Sequence, residues 1–262
     1  LGARSQQIQK RLFEHDVFDE KILLDIALDD EALFLARWQS LLLEKVMTPE
    51  NLKKYPHWQA AMTYASETPL HAHVDSVAYR LISEFRIETR ELVFLPLEQH
   101  LTQLNDRFSL HSIRNQLETP LWQLINDQPD NYLLLEQPSW NNLLETAFEN
   151  TLAKLTENQP LSSATWGQAN ISNIKHPLSA AVPLLGKWLD MPETPLAGDS
   201  YMPRVQGTAF GASERMVVSP GHESTGIFHM PTSQSGHPWS PYYRIGHQDW
   251  EQGKPSPFLP GK

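Results

Sequence analysis

The sequence contains no cysteine among its 262 residues. Disulfide frameworks, thiolate-ligated zinc, iron–sulfur clusters and cysteine nucleophiles are therefore excluded. The absence of disulfides does not fix the compartment, because an exported bacterial protein can also lack cysteine.

Positive charge and long apolar runs are also scarce. The chain has 21 Lys and Arg against 31 Asp and Glu, a net charge of −10. No basic run gathers the charge that a phosphate backbone requires, so we expect no nucleic-acid partner. No run approaches the ~18 apolar residues of a membrane span, and residues 1–4 have neither an initiator methionine nor a signal pattern. We expect a globular segment of a longer protein.

Glycine divides the chain. Of the 12 glycines, only Gly2 precedes Gly167, and proline becomes denser after residue 160. Glycine-poor sequence favours helices, whereas glycine and proline favour turns and short strands. We therefore predict an α+β fold with a mostly helical part, 1–160, and a part of strands and loops, 161–262, packed as one unit.

Apolar periodicity predicts several helices. Asp29 or Asp30 is expected to cap the first, and the acidic run 29–31 is interpreted as charge favoured by the helix dipole. Thr48 followed by Pro49 is typical of a helix start. Further helices are predicted near 73–93 and over 120–126. The last begins after Ser139, with an apolar face formed by Trp140, Leu143, Leu144, Ala147, Phe148, Leu152 and Leu155.

The second part carries a hairpin signal. Residues 215–218 and 226–230, joined by a polar turn, predict two paired strands. Both arms are apolar, so we expect a sheet covered on both sides, beneath the helices. The tail 231–262 holds several aromatic residues that indicate a docked segment: Trp239, Tyr242, Tyr243, Trp250 and Phe258.

The catalytic motifs that the residues suggest are incomplete. His222 begins a zinc-protease pattern, but Gly226 stands where the second histidine is needed. Ser213 lacks the second glycine of a nucleophile elbow, and Ser235 and His237 have no local aspartate. Two further pairs are each two residues apart and share no helix face: His71 with His73, and Glu98 with His100. By these residues alone, the chain is an acidic α+β domain without a self-contained active site.

A series of short motifs resembles, in order, the end of the β subunit of penicillin acylase family enzymes. The series is Thr165-Trp166-Gly167, His176-Pro177-Leu178, Gly198-Asp199, residues 211–218 and residues 233–243. Trp58 and the pair Asp75-Ser76 resemble family positions ahead of a long helix, so the resemblance covers essentially the whole chain. It implies a segment of the four-layer αββα fold of N-terminal nucleophile hydrolases. The tail departs from the family pattern, because residues 244–249 intervene before Trp250.

The resemblance implies an amidohydrolase that cuts its own precursor into α and β subunits. The nucleophile is then the serine that begins β, and its α-amine acts as the base. That serine, the oxyanion asparagine and the family's calcium ligands would lie upstream of Leu1, so we expect no nucleophile, cofactor or metal ligand in this chain. Residues 1–8 resemble the segment in which an arginine opens a helix, and this match assigns Arg4 a supporting catalytic role.

The implied partners are the rest of the β subunit, the α subunit and a small N-acyl amide such as penicillin or an acyl-homoserine lactone. The implied location of the parent protein is periplasmic or secreted, and the isolated segment is expected to be inactive. The alternative is a non-enzymatic helical interaction module with a docked β-hairpin tail.

Overall fold

The computed structural model describes residues 2–132, 137–233 and 235–260. They form two compact units that alternate along the chain. Unit 1 comprises Leu35–Thr68 and Val77–Ala164, and unit 2 comprises the described residues of Gly2–Phe34, Pro69–Ser76 and Thr165–Lys262. The division into 1–160 and 161–262 is one of composition, and its packing as one unit stays a prediction.

Helices dominate unit 1, and in unit 2 shorter helices alternate with turns and loops. The α-helices of the described residues are α1 Ala3–Leu12, α2 Glu20–Ala27, α3 Ala36–Leu41, α4 Pro49–Lys54, α5 Gln59–Ala65, α6 Val77–Leu104, α7 Glu118–Asp127, α8 Trp140–Thr156, α9 Trp166–Ala169, α10 Pro177–Ala181, α11 Gly186–Leu189 and α12 His247–Gln252. Within these described parts, no helix has the length and apolar character that crossing a membrane requires. With the short antiparallel sheets described below, the fold is α+β, as predicted.

The core of unit 1 lies where α6 packs against α8. The Ser139 side chain caps α8 by accepting a hydrogen bond from the backbone N–H of Asn142 at 3.2 Å. Phe148 of α8 meets Trp58 and Phe85 edge to face, at centroid distances of 4.9 and 6.1 Å. The predicted apolar face is buried throughout, at Trp140, Leu143, Leu144, Ala147, Phe148, Leu152 and Leu155. The helix predicted after Ser139 is confirmed.

The other predicted helices are present with different bounds. Thr48 caps α4 and Pro49 is its first residue, as predicted. The helix expected near 73–93 is α6, which starts at Val77 and continues past Pro96. A proline inside a helix removes one backbone donor and usually interrupts the helix. Here Pro96 is buried along the same helix as Phe94, and this packing supports the longer element.

The cap predicted at Asp29 or Asp30 is wrong. The chain enters a 3-10 turn at Leu33–Leu35, and α3 follows with Leu35 at its N-cap position. Asp29 accepts from the Glu31 N–H and from Gln7 and Arg11, and Asp30 pairs with His71, so neither side chain bonds to an N–H of the helix that follows. Apolar residues at helical spacing, Leu33, Trp38, Leu41, Leu42 and Val46, predict a one-sided stripe for this helix. Trp38, Leu42 and Val46 are fully buried, the last two in a π-helical turn, and Leu33 and Leu41 are half-buried.

Unit 2 contains two small antiparallel sheets. Strand β1, Gln206–Gly207, pairs with β2, Phe210–Gly211, and β3, Arg215–Val217, pairs with β4, Ile227–His229. The pair β3–β4 is the predicted hairpin, with Arg215 opposite His229. The expected cover on both sides is wrong: among the described residues this sheet has two strands, and Met216 is 58% exposed. Its buried face carries polar Arg215 and His229 instead of a continuous apolar layer.

The tail is docked in part. Trp250 of α12 is fully buried, and the backbone N–H of Phe258 donates to the Gly226 carbonyl at 2.8 Å, beside β4. Trp239 and Tyr242 are exposed at 82% and 66%. The expected docking therefore holds for Trp250 and Phe258 and is wrong for Trp239 and Tyr242.

Candidate functional site

Arg4, the predicted site residue, lies in the first turn of α1. Gly2 precedes the helix with a φ of +108°, a left-handed conformation that favours glycine. Arg4 is exposed, and no other described residue forms a hydrogen bond or ion pair with its guanidinium. Its donors are therefore open to a ligand, while its catalytic role stays a prediction.

Two other residues on the same face of α1 are firmly held. The amide of Gln7 donates to Asp29 Oδ2 at 2.8 Å and to the Glu31 carbonyl at 2.9 Å. Arg11 donates from Nε to Asp29 Oδ2 at 2.6 Å and from Nη2 to the Glu31 carboxylate. Sequence reasoning missed Gln7 and Arg11. The available signal was their spacing of three and seven residues from Arg4, which places all three on one helix face.

Helix α1 is thus anchored on the acidic segment, residues 29–31. Burial opposes ionisation of Asp29, but the hydrogen bonds from Arg11 and Gln7 outweigh it and lower the pKa of that carboxyl. The interpretation of this run as helix-dipole charge is wrong, since the helical turn begins only at Leu33. The charges serve to anchor α1.

The middle residue of the segment connects to two other parts of unit 2. Asp30 Oδ1 lies 2.8 Å from His71 Nδ1, and Asp30 Oδ2 lies 3.9 Å from Arg204 Nη1. The backbone N–H of Arg204 also donates to the Asp29 carbonyl at 3.0 Å. His71, which shares no helix face with His73, therefore has a specific carboxylate partner in Asp30.

The family-like motifs meet around Gly198. Its N–H donates to the Ala72 carbonyl at 2.8 Å, and its carbonyl accepts from Trp166 Nε1 at 3.0 Å. Gly198 has a φ of +86°, and a Cβ there would lie 2.1 Å from the Arg204 carbonyl oxygen, so the position requires glycine. The backbone N–H of Trp166 donates to the Ser76 carbonyl at 2.9 Å. The motifs around Ser76, Trp166 and Gly198 therefore bond to one another.

The His176-Pro177-Leu178 motif starts α10. The His176 side chain caps the helix by accepting from the Leu178 N–H, and Asp190 Oδ1 accepts from the His176 N–H at 2.8 Å. Asp190 also accepts from the Ser179 hydroxyl, the main cause of its lowered pKa. The His176-Pro177-Leu178 motif therefore stabilises the start of α10.

A buried polar cluster surrounds Trp250. The Trp250 carbonyl accepts from Arg215 Nη1 at 2.9 Å and from Gln206 Nε2 at 3.1 Å, and its indole N–H donates to the Ala212 carbonyl at 2.7 Å. Burial and then the charge of Arg204 lower the pKa of Arg215 to about 10. Arg215 is therefore still a cation at neutral pH, and it holds the tail to β3.

Two buried histidines in this region bond to backbone carbonyls. His229 Nε2 lies 2.5 Å from the Lys254 carbonyl, and burial lowers the pKa of His229. For His247, burial lowers the pKa, but the nearby Glu251 carboxylate and the Pro231 carbonyl outweigh burial and raise it. Within the described ranges neither imidazole bonds to a serine hydroxyl, and each bonds to a backbone carbonyl of the tail.

The other catalytic candidates lie in different elements: Glu98 and His100 are within α6, whereas Ser235, His237 and His222 are in loops. The Ser235 hydroxyl accepts from the His237 N–H at 3.4 Å, and His237 Nδ1 accepts from the Trp239 N–H at 3.2 Å. Gln234 of this motif lies outside the described residues. His222 precedes the 3-10 turn Glu223–Thr225. Across the described part of the chain, no group of three His, Asp or Glu residues could hold a metal ion.

The fold and these contacts define an α+β protein whose sequence motifs bond mainly to one another's backbones. The profile of the family described as Penicillin amidase matches residues 1–260, and the chain belongs to the penicillin amidase family. The family membership that the motifs indicate is thereby confirmed, and the family supports an amidohydrolase function in general. No curated protein matches the sequence.

Proposed function

We propose that this chain is the C-terminal segment of the β subunit of an enzyme that hydrolyses the C–N bond of linear N-acyl amides. The observation that carries the proposal is the family match, which extends over residues 1–260. Candidate substrates are penicillins, acyl-homoserine lactones and related amides. In this proposal, the chain supplies part of an αββα core.

The nucleophile of the proposed reaction is the serine that begins the β subunit, upstream of Leu1. Its own α-amine, with an ordinary pKa near ~8, takes the hydroxyl proton as the hydroxyl attacks the amide carbon. A backbone N–H and an asparagine side chain stabilise the oxyanion that forms. The protonated amine then returns a proton to the leaving nitrogen, and water releases the acyl group.

The contribution of this chain to that reaction is Arg4. A guanidinium has several N–H donors in a fixed planar fork, which can hold an amide oxygen or the polar end of a substrate. The exposure of Arg4 at the start of an anchored helix supports this role, since its donors are accessible and its backbone is helical.

The described residues contain no group of three His, Asp or Glu side chains that could hold a metal ion. In this proposal, the calcium ligands of the parent enzyme are upstream residues. The proposal also includes the rest of the β subunit and the α subunit as partners, and a periplasmic or secreted parent protein.

The first test is expression of the complete reading frame that contains this segment, followed by denaturing mass spectrometry. We expect two chains, the larger beginning with serine, and turnover of phenylacetyl or acyl-homoserine-lactone substrates. The isolated chain should show no turnover. A single uncut product of the mass of this chain would contradict the proposal and favour a helical interaction module with a docked tail. Turnover by the isolated chain would refute the assignment of the nucleophile.

A further inference from the structure

The most buried side chain of the helix that carries Arg4 is polar. In α1, only Gln7 is buried, at 2% exposure, and Ile8 is half-buried. Apolar packing fixes most helices of globular proteins, whereas the buried position of α1 holds an amide. The hydrogen bonds that leave its buried face therefore contribute to its orientation.

Apart from the exposed pair of Arg11 with Glu14, the side-chain bonds of Gln7 and Arg11 reach the acidic segment, residues 29–31. Asp29 Oδ2 accepts from the Gln7 amide at 2.8 Å and from Arg11 Nε at 2.6 Å. The carbonyl of Glu31 accepts from Gln7, and its carboxylate accepts from Arg11. A charge-assisted fork of this kind restrains both distance and angle, which a single hydrogen bond does not. Gln7 and Arg11 thus set the direction of the helix axis as well as its place.

The acidic segment is itself held on both sides. The N–H of Ala72 donates to the Asp30 carbonyl at 2.9 Å, and the N–H of Ala32 donates to the Leu70 carbonyl at 2.7 Å. From the other side, the N–H of Arg204 donates to the Asp29 carbonyl at 3.0 Å. A helix fixed to this backbone is consequently fixed to the part of unit 2 in which the motifs meet.

Arg4 is seven residues from Arg11, which is about 10 Å along a helix axis. A tilt of ~10° about the Arg11 end would therefore move the Arg4 backbone by about 2 Å. Misplacing a substrate-positioning group by ~1 Å can lower a rate by ~10²-fold. A change at Arg11 is thus large enough to be felt at Arg4.

We propose that Gln7 and Arg11 are positioning residues that fix α1 on the acidic segment and thereby set the place of the Arg4 guanidinium. This inference rests on the proposed function, in which Arg4 has a supporting catalytic role. Arg11 acts through Arg4 and does not itself contact the substrate.

The test is a double-mutant cycle in the full-length, processed enzyme, with Arg4→Ala, Arg11→Met and the double variant. Rates are measured on a phenylacetyl amide per titrated active site, well below the melting temperature. We expect Arg11→Met to lower kcat by ~10- to 100-fold, and Arg4→Ala to lower it at least as much. In the Arg4→Ala background, Arg11→Met should change kcat no further, while it lowers Tm equally in both backgrounds.

Three companion variants sharpen the cycle. Lys10→Met, at the exposed neighbouring position, should leave kcat and Tm unchanged. Arg11→Lys should recover part of kcat, because an ammonium can still reach one carboxylate but cannot reproduce the fork. Asp29→Asn keeps an acceptor oxygen and removes the charge, so it replaces Arg11→Met if that variant does not fold.

Each unfavourable result has a distinct meaning. Should Arg11→Met lower Tm but not kcat, or lower kcat as strongly without Arg4 as with it, the positioning role is overturned while the role of Arg4 stands. Should Arg4→Ala leave kcat unchanged, the role of Arg4 in the proposed function is wrong, and the positioning role is overturned with it.

Discussion

Loss of the Glu118 carboxylate should be among the most destabilising single changes in unit 1. Glu118 is 7% exposed, and its Oε1 accepts from Trp38 Nε1 at 2.9 Å and from Arg37 Nη2 at 2.5 Å. Its Oε2 accepts from Arg86 Nε at 2.9 Å, and Arg86 is only 4% exposed. The substitution Glu118→Leu removes the anion and leaves the buried guanidinium of Arg86 in place.

The expected magnitude follows from the chemistry of buried ion pairs. Removing one partner of such a pair costs about 3–5 kcal/mol. Because Arg37 and Arg86 have further interactions, we take the lower end, about 3 kcal/mol. At ~2–4 °C for each kcal/mol, Tm should fall by roughly 6–12 °C. Glu118→Gln, which keeps an acceptor for Trp38, should cost about half as much.

The assay is thermal and urea unfolding followed by circular dichroism. Glu91→Gln is the matched control, since its side chain is 60% exposed and pairs with Arg90 at 3.6 Å; it should change stability by under ~0.5 kcal/mol. The double variant Glu118→Leu/Arg86→Met should recover part of the loss, because an apolar pair can replace a buried ion pair. A Tm for Glu118→Leu within about 2 °C of the parent would refute the reasoning.

Three further changes test other parts of the structure. Gly198→Ala should destabilise the protein by about 2–3 kcal/mol, because φ is +86° and the new Cβ would meet the Arg204 carbonyl; an unchanged urea midpoint would count against this geometry. Burial lowers the pKa of His229 below its ordinary 6.5, so protonation favours the unfolded chain and stability should decline as pH falls below 6.5. His229→Gln, which can still donate to Lys254, should reduce that decline, as unfolding measured from pH 8 to 5 will reveal. Ser139→Ala should cost about 1 kcal/mol through the lost cap, and hydrogen exchange should then accelerate in the first turn of α8.

The features predicted correctly depend on contacts within a few residues. The caps at Thr48 and Ser139 join each side chain to an N–H three residues on. The buried face of α8 follows from helical periodicity alone. The hairpin that contains β3 and β4 needs only two short strands and a turn. Signals of this range are readable because the partners are neighbours in the chain.

The features that escaped prediction depend on distant partners. The acidic segment resembles a helix start. Its hydrogen-bond and ion-pair partners, however, are distant in the chain: Gln7, Arg11, His71 and Arg204. Nothing in the spacing of residues 29–31 distinguishes a helix cap from a segment that anchors another helix. The exposed face of β3 was likewise not predictable, since apolar Met216 does not reveal whether a second layer covers it.

The sequence by itself determined the family, the α+β class and the places where α4, α8 and the hairpin begin, because each rests on an ordered motif or a local period. Only the tertiary structure decided which charged groups meet. Arg11 reaches Asp29 and Glu31, and Arg86 reaches Glu118, across chain separations that no local pattern encodes. The reason is physical: a buried ion pair requires precise geometry between groups brought together by the whole fold, whereas a cap or an apolar stripe requires only the next turn of helix.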